Sequence, residues 1–526
     1  MPEVKSPLRL VLFLFAIVAK FWLIWATEIT DAIDDPHEYV LQVLIPVNGG
    51  LSYPPGTGLV GGFFREFGVP FRLGIEAAFI LATVLVLRAL FTWPWKSWLP
   101  FGLFVFVTFD PAIAELFSHF YSDQVWLVET MLGLACFVLA FRSVEKLDWT
   151  CVYAALSFFG FSIITRSVMV PLLISVMVFA LVALVLSLSK GFIPNLKRKL
   201  DFLALTVPTF IFGLSLIYGS MCRYNLVKHG YTGLSYIDSS QYKNFYLCLQ
   251  SVGDPDGPRY FPIDENRRKL IALAGPDSSW LMRQLDDNTF YKQAGLDHYG
   301  RADIAAGWFH WAVFTAAMHD GNYIGAFKLF DNIEDEINAS TKFGRVQVRA
   351  IAPLPDARIP IVIGALPSGL WNTVSQIVHE PPPDAFAAKD AATLYVNPDF
   401  TKALTRRAVT DSPFRDSLWQ ILAHIYAWIY TPVLFALYII ALAALKITIL
   451  RRWKQIPEFY LFTIAQYIFS IVFVILILWY TLFDASGMPA TARYMIFNHV
   501  LMPMLICSYA VGVMRLRMQA GGLPVH

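Results

Sequence analysis

The stretch RLVLFLFAIVAKFWLIWAT, residues 9–27, is followed at once by EITDAIDDPHEYVLQVL, residues 28–44. The first stretch has the length and composition of a helix that crosses a bilayer, which takes about 20 mostly apolar residues. It lacks a small-residue cleavage site, so we interpret it as a retained helix rather than a removable signal peptide. The second stretch carries a cluster of acids that includes Asp34, Asp35 and Glu38. The sequence therefore predicts a membrane-embedded chain with an acidic first loop.

The composition of the whole chain is that of a membrane protein. Hydrophobic residues make up 56% and charged residues 15% of its 526 residues, whereas about 25% charged residues is usual in soluble domains. A net charge of +2, with the basic residues in short clusters, does not indicate nucleic-acid binding. The five cysteines lack the spacing of a metal site, and only Cys222 and Cys248 fall in a polar region, where a disulfide could form.

Ten apolar segments have the length of membrane spans, and the loops between them show a consistent charge bias. If the N-terminus is cytoplasmic, every basic cluster falls in an inner loop or tail, as the positive-inside rule requires. We therefore predict an all-α polytopic membrane protein with both termini in the cytoplasm. The fifth and sixth spans could also form one helix interrupted at Arg166. The predicted spans lie at about 9–27, 73–92, 98–114, 124–142, 150–165, 168–188, 202–220, 419–446, 457–482 and 495–515.

The region between the seventh and eighth predicted spans has the character of a soluble domain. It combines turn signals such as GDPDGPRYFP with a stretch, residues 308–341, whose apolar residues recur at helical spacing. We predict a mostly helical outer-face domain at 221–418. It separates an N-terminal transmembrane module at 1–220, whose first outer loop is 28–72, from a C-terminal transmembrane module at 419–526. A bacterial inner membrane with a periplasmic domain fits the low number of cysteines and the absence of a eukaryotic retention signal.

Four chemically notable features fall at the outer ends of predicted spans. The first is the acidic loop with its following segment NGGLSYPPGTGL, residues 48–59, where Pro54, Pro55 and the glycines argue against a regular helix. The other three are short motifs between later spans. They are SHFYSD with His119, Tyr121 and Asp123, ITRS with Arg166, and TARYM with Arg493 and Tyr494.

These residue types suit the transfer of a group away from a lipid phosphate. An arginine at membrane depth costs about 2.5–3.5 kcal/mol on insertion scales, so Arg166 and Arg493 require an anion. The acids of the first loop or a phosphate could supply it, and arginine binds phosphate through bidentate, charge-assisted hydrogen bonds. An aspartate beside a second acid, as in the pair Asp34 and Asp35, could take the proton of an attacking hydroxyl. No phosphate-cradling loop, nucleophile elbow or HExxH helix is present in the sequence.

The motifs DDPHEY, SYPPGTGL, TRSVMVP and ARYMIF, with one long first helix, resemble the GT-C superfamily of integral-membrane glycosyltransferases. In architecture the resemblance covers 1–220 and 419–515. It implies transfer of a sugar from a polyprenyl-phosphate donor to a glycan, lipid or protein acceptor on the outer face, either inverting or retaining. It also implies residue roles, without a metal or other cofactor: Asp34, followed by Asp35 and Glu38, as the general base, and His119, Tyr121, Arg166, Arg493 and Tyr494 as substrate-binding residues.

Other functions remain open at this point. The acids could be a helix cap, Arg166 could form a structural ion pair, and Arg493 with Tyr494 could anchor a helix at the interface. A transporter or a flippase of lipid-linked glycans would use outer charges to line a pathway, although such proteins often show inverted repeats and mid-span acids. A scaffold whose outer domain binds protein or polysaccharide leaves the placement of the acids and arginines unexplained.

Overall fold

The computed structural model describes most of the first half of the chain and parts of the second. The described residues are 7–24, 55–118, 122–142, 148–166, 196–237, 239–253, 265–287 and 323–348, with scattered residues in 312–317, 414–436 and 500–511. Most of the predicted site residues lie outside this set, namely Asp34, Asp35, Glu38, His119, Tyr121, Arg493 and Tyr494.

All elements of the described part are helical, apart from one isolated β-bridge between Val252 and Val348. The helices are α1 (Pro7–Ile24), α2 (Gly56–Glu66), α3 (Phe71–Leu90), α4 (Trp98–Thr108), α5 (Pro111–Ser118), α6 (Ser122–Arg142), α7 (Trp149–Thr165), α8 (Leu196–His229), α9 (Ser240–Ser251), α10 (Glu265–Ala272), α11 (Pro276–Asp287) and α12 (Tyr323–Lys342).

Three of these helices are long and apolar enough to cross a membrane. They are α1, α3 and α6, and α4 and α7 are shorter apolar helices. Long apolar helices at the first, second and fourth predicted spans are therefore confirmed, and the total of ten spans stays a prediction.

The third predicted span, 98–114, is wrong as a single helix. The chain leaves α4 after Thr108 and begins α5 at Pro111. A proline lacks the N–H that a continuing helix needs. The Oδ1 atom of Asp110 accepts a hydrogen bond from Ala112 N at 2.9 Å and so caps the new helix.

We expected residues 48–59 not to form a regular helix, and this expectation is wrong for residues 56–59. Helix α2 begins at Gly56, directly after Pro55, and its Leu59 N donates to Pro55 O at 3.0 Å. Proline is well tolerated at the start of a helix, because the first N–H groups have no partner inside the helix in any case.

The membrane helices pack as a bundle in which α6 and α7 run antiparallel, since Asp123 at the start of α6 pairs with Arg166 directly after α7. Helices α6 and α7 form its tightest pair, and α3 packs against α6. An added Cβ at Gly133 of α6 would lie 3.0 Å from the ring of Phe159 of α7, so the two helices approach closely at this point. Side chains from α1, α3, α4, α5 and α6 form one continuous hydrophobic core.

A second hydrophobic core lies within residues 231–346 and is built by α9, α10, α11 and α12. Stacked rings dominate it, with Tyr236 on Phe314 at 3.6 Å and Phe245 on Phe330 at 4.3 Å between ring centroids. The described part of 221–418 is thus helical, as predicted. Cys222 and Cys248 are both free thiols, so the structure does not pair them.

The two ends of the membrane bundle differ in chemistry. At one end, the Arg9 guanidinium donates to the Lys96 carbonyl, and Arg88 lies 4.3 Å from the ring centroid of Trp93. The charge bias predicts that this basic, aromatic end faces the cytoplasm. The opposite end contains the end of α1, the starts of α2, α3 and α6, and the end of α7.

Candidate functional site

Buried charged residues gather at this opposite end of the bundle, which we call the charged end. Its members are Lys20, Arg72, Glu76, Asp123 and Arg166, and all are buried. Charged side chains are rarely buried unless they are paired, and within membrane segments they mark functional sites by default. The charged end is therefore the candidate functional site of the described residues.

Arg166 is the one predicted site residue that the structure describes. It directly follows α7 in an extended conformation and is 9% exposed. Its guanidinium forms an ion pair with Asp123, which is 1% exposed in the first turn of α6. The anion that we expected beside Arg166 thus includes the aspartate of the SHFYSD motif. This arrangement fits the structural ion pair among our alternatives, and contact with a lipid phosphate stays a prediction.

A second polar contact joins α6 and α7 six residues further along α6. The Oγ1 hydroxyl of Thr165 donates to Glu129 Oε2 at 2.7 Å and also lies 3.0 Å from Phe161 O of its own helix. Glu129 is 7% exposed and lies within a membrane helix. A carboxyl group in such a place requires a partner, and the Thr165 hydroxyl provides it.

The segment that follows the acidic first loop is packed against the same place. An added Cβ at Gly56 would lie 2.3 Å from Thr165 Oγ1 and 2.6 Å from Thr165 Cα. Only a glycine permits this approach, because the obstacle includes backbone that cannot rotate away. Thr57, the next residue of α2, is fully buried. The start of α2 is therefore fixed beside Arg166.

A buried cluster of three charges links α1 to α3. Glu76 Oε1 lies 3.0 Å from Arg72 Nη2 and 3.5 Å from Lys20 Nζ. Arg72 also donates through Nη1 to the Ala114 carbonyl at 3.2 Å. These contacts place the end of α1 against the start of α3 and against α5.

Residues of the predicted C-terminal transmembrane module contact the same end of the bundle. The Lys20 ammonium lies 5.5 Å from the ring centroid of Trp419, which packs with Leu23 and Ile24 of α1. Deeper in the bundle, Tyr426 donates its hydroxyl hydrogen to Phe106 O at 2.7 Å. The start of the eighth predicted span thus lies beside the end of the first.

Five of the buried polar residues were not predicted from the sequence, namely Lys20, Arg72, Glu76, Glu129 and Thr165. A signal was present for the charged ones, since an ionisable residue inside an apolar run is a functional candidate by itself. Glu129 in VWLVETMLGL and Lys20 in FAIVAKFWLIW are clear examples. Within the described residues, no group of three histidine, cysteine or acidic side chains is placed to hold a metal ion.

Comparisons with known proteins give a weak likeness. No family model and no curated protein matches this chain. It is similar to the crystal structure of ArnT from Cupriavidus metallidurans in the apo state, with 14% identity and a TM-score of 0.32, and to ArnT from the same organism bound to undecaprenyl phosphate, with 15% identity and a TM-score of 0.31. Each alignment covers 89% of this chain and 76% of the ArnT chain. Because TM-scores of this size establish no common fold, the proposals below rest on the residues of this chain.

Proposed function

We propose that this protein is a membrane glycosyltransferase. It transfers a sugar from a polyprenyl-phosphate donor to an acceptor hydroxyl on the outer face of the membrane. One observation supports the proposal most strongly: the two described residues nearest the acidic loop, Ile24 at the end of α1 and Pro55 before α2, lie at the bundle end that holds Arg166. Both residues that border the segment with Asp34 therefore lie at the end of the bundle that holds a buried arginine.

The proposed reaction assigns one role to the acids and another to the arginines. Asp34, assisted by Asp35 and Glu38, takes the proton of the acceptor hydroxyl. The oxygen of that hydroxyl forms a bond to the anomeric carbon of the sugar at the same time. The bond between that carbon and the phosphate oxygen breaks, and its electron pair leaves with the lipid phosphate. Arg166 and Arg493 stabilise the negative charge that grows on this phosphate.

The remaining assignments complete the same proposal. His119, Tyr121 and Tyr494 contact the sugar or the phosphate, and no metal is required for the departure of the phosphate. The partners are the polyprenyl-phosphate sugar, membrane lipids and a glycan, lipid or protein acceptor. The protein resides in the bacterial inner membrane, with the 221–418 domain in the periplasm.

The first test is sugar transfer by the purified protein in nanodiscs, with polyprenyl-phosphate sugars as donors. Asp34→Asn removes the proton acceptor at nearly unchanged size, so we expect loss of turnover with unchanged thermal unfolding. Full turnover by this variant would exclude Asp34 as the base. Movement of labelled lipid across sealed vesicles without a covalent product would instead favour a transporter or flippase.

The second test separates phosphate binding from the ion pair. The double variant Arg166→Ala/Asp123→Ala removes both buried charges, whereas Asp123→Asn keeps the arginine. If Arg166 holds the donor, the inhibition constant of undecaprenyl phosphate rises about tenfold or more in the double variant. A tenfold rise corresponds to about 1.4 kcal/mol of binding free energy, which one charge-assisted hydrogen bond can supply. Asp123→Asn keeps the arginine and an amide oxygen that can accept its hydrogen bond, so inhibition should weaken less than in the double variant. Equal inhibition constants for all three proteins would limit Arg166 to a structural role.

A further inference from the structure

We infer that Thr165, held by Glu129, is a positioning residue that sets the distance between Arg166 and the start of α2. This inference rests on the proposed function. It assigns no chemical step to Thr165, and it explains how Arg166 and the start of α2, which are distant in the chain, keep a fixed relation.

The bond between Thr165 and Glu129 is the first step of the argument. The hydroxyl of Thr165 already has an acceptor in its own helix, Phe161 O at 3.0 Å. The hydroxyl of Thr165 therefore does not need Glu129 in order to find a hydrogen-bond acceptor. The bond to Glu129 Oε2 is shorter, 2.7 Å, and crosses to α6. It fixes the last residue of α7 relative to α6.

Arg166 receives the effect of this bond directly. It follows Thr165 in the chain, and its backbone turns there from helical to extended. Its own ion-pair partner, Asp123, stands on α6, six residues and about 9 Å of helix before Glu129. Helix α6 thus contacts the Thr165–Arg166 dipeptide at two positions along its length, through Asp123 and through Glu129. With the Glu129 bond removed, the end of α7 can rotate about the remaining ion pair.

Gly56 provides the link to the first loop. Its missing side chain allows the start of α2 to lie directly on the Thr165 backbone and hydroxyl. One side of Thr165 therefore faces the first residue of α2, and the next residue in the chain is Arg166. A shift of Thr165 changes the spacing between the proposed phosphate-holding group and the start of α2, which follows the acidic segment in the chain. Misplacement of reacting groups by about 1 Å can cost about 10²-fold in rate.

Four variants test the inference on the intact protein. Thr165→Val keeps the shape and removes the hydroxyl that donates to Glu129, so the donor KM should rise about tenfold, within the effect known for small misplacements. Thr165→Ser and Glu129→Gln keep the hydroxyl and its acceptor, so both should stay within about twofold of wild type by the same reasoning. Thr108→Val is the matched control, since Thr108 is buried near the same end of the bundle and bonds only to Phe104 O of its own helix.

Gly56→Ala tests the other side of the contact. The added methyl group pushes the start of α2 away from Thr165, while the ion pair of Arg166 with Asp123 of α6 is left in place. We expect kcat to fall about tenfold or more, with inhibition by undecaprenyl phosphate little changed. A merely structural role would lower the unfolding temperature and shift kcat and KM together.

The outcomes distinguish the positioning role of Thr165 from the proposed glycosyltransferase function. If wild type transfers sugar and Thr165→Val matches Thr108→Val in donor KM, the positioning role is wrong and the proposed function stands. If Thr165→Ser is as defective as Thr165→Val, the hydroxyl is not the cause, and the inference is also wrong. If wild type neither transfers sugar nor binds undecaprenyl phosphate, both the proposed function and the inference are overturned.

Discussion

Replacing Glu76 by glutamine should destabilise the membrane bundle by about 3–5 kcal/mol, the usual cost of removing one partner of a buried ion pair. The Glu76 carboxylate is fully buried and lies 3.0 Å from Arg72 Nη2 and 3.5 Å from Lys20 Nζ. At an effective dielectric constant of about 20, each contact is an attraction of about 5 kcal/mol before desolvation is counted. Glutamine keeps the size of the side chain but leaves two buried cations beside each other.

The assay is equilibrium unfolding of the purified protein in mixed micelles with increasing SDS, followed by tryptophan fluorescence. Glu129→Gln is the matched control, because Glu129 is another buried carboxyl of the bundle whose partner is a neutral hydroxyl. The control should lose about 1 kcal/mol or less, since the amide oxygen still accepts the hydrogen bond.

A double-mutant cycle isolates the charge effect. Adding Lys20→Met to Glu76→Gln removes one of the two cations that have lost the Glu76 carboxylate and should restore part of the lost free energy of unfolding. A Glu76→Gln protein within about 1 kcal/mol of wild type would refute the reasoning, because the measured loss would then fall below the cost of an unpaired buried charge.

Two further predictions concern the region between α8 and the C-terminal module. Glu336 accepts hydrogen bonds from Asp277 N at 2.9 Å and from Ser278 N at 2.8 Å, so Glu336→Ala should weaken the start of α11 by about 1–3 kcal/mol and speed amide exchange there; unchanged exchange would contradict this capping role. Burial, with the nearby Glu334, raises the pKa of the Cys248 thiol to about 11. The thiol therefore stays protonated at neutral pH, and its alkylation rate in the folded protein should keep rising up to about pH 11, whereas a plateau near pH 9 would indicate an unperturbed thiol.

The sequence was informative about helices whose length is set by the bilayer. α1, α3 and α6 were predicted to within a few residues, because an apolar run of span length has few alternatives in a membrane. The break between α4 and α5 was missed, because the apolar run continues on both sides and a single Asp110–Pro111 step ends the first helix. The start of α2 was missed because proline and glycine were interpreted as residues that interrupt a helix. Proline at the start of a helix is in fact well tolerated.

The candidate site could be predicted only in part from the sequence. Membrane depth alone indicated that Arg166 needs an anion. Its pairing with Asp123 depends on the packing of α6 against α7, which the sequence does not display. The role of Gly56 was likewise hidden, because a glycine in a proline-rich stretch predicts a turn, and its contact with Thr165 exists only after the two helices have packed.

The most direct test of the central claim is a density map of the protein in nanodiscs with undecaprenyl phosphate bound. The proposal predicts the phosphate at the charged end, within hydrogen-bonding distance of the Arg166 guanidinium, with the Asp34 carboxylate facing the same pocket. A phosphate bound at the basic, aromatic end near Arg9, or an Asp34 side chain directed away from a phosphate at Arg166, would contradict it.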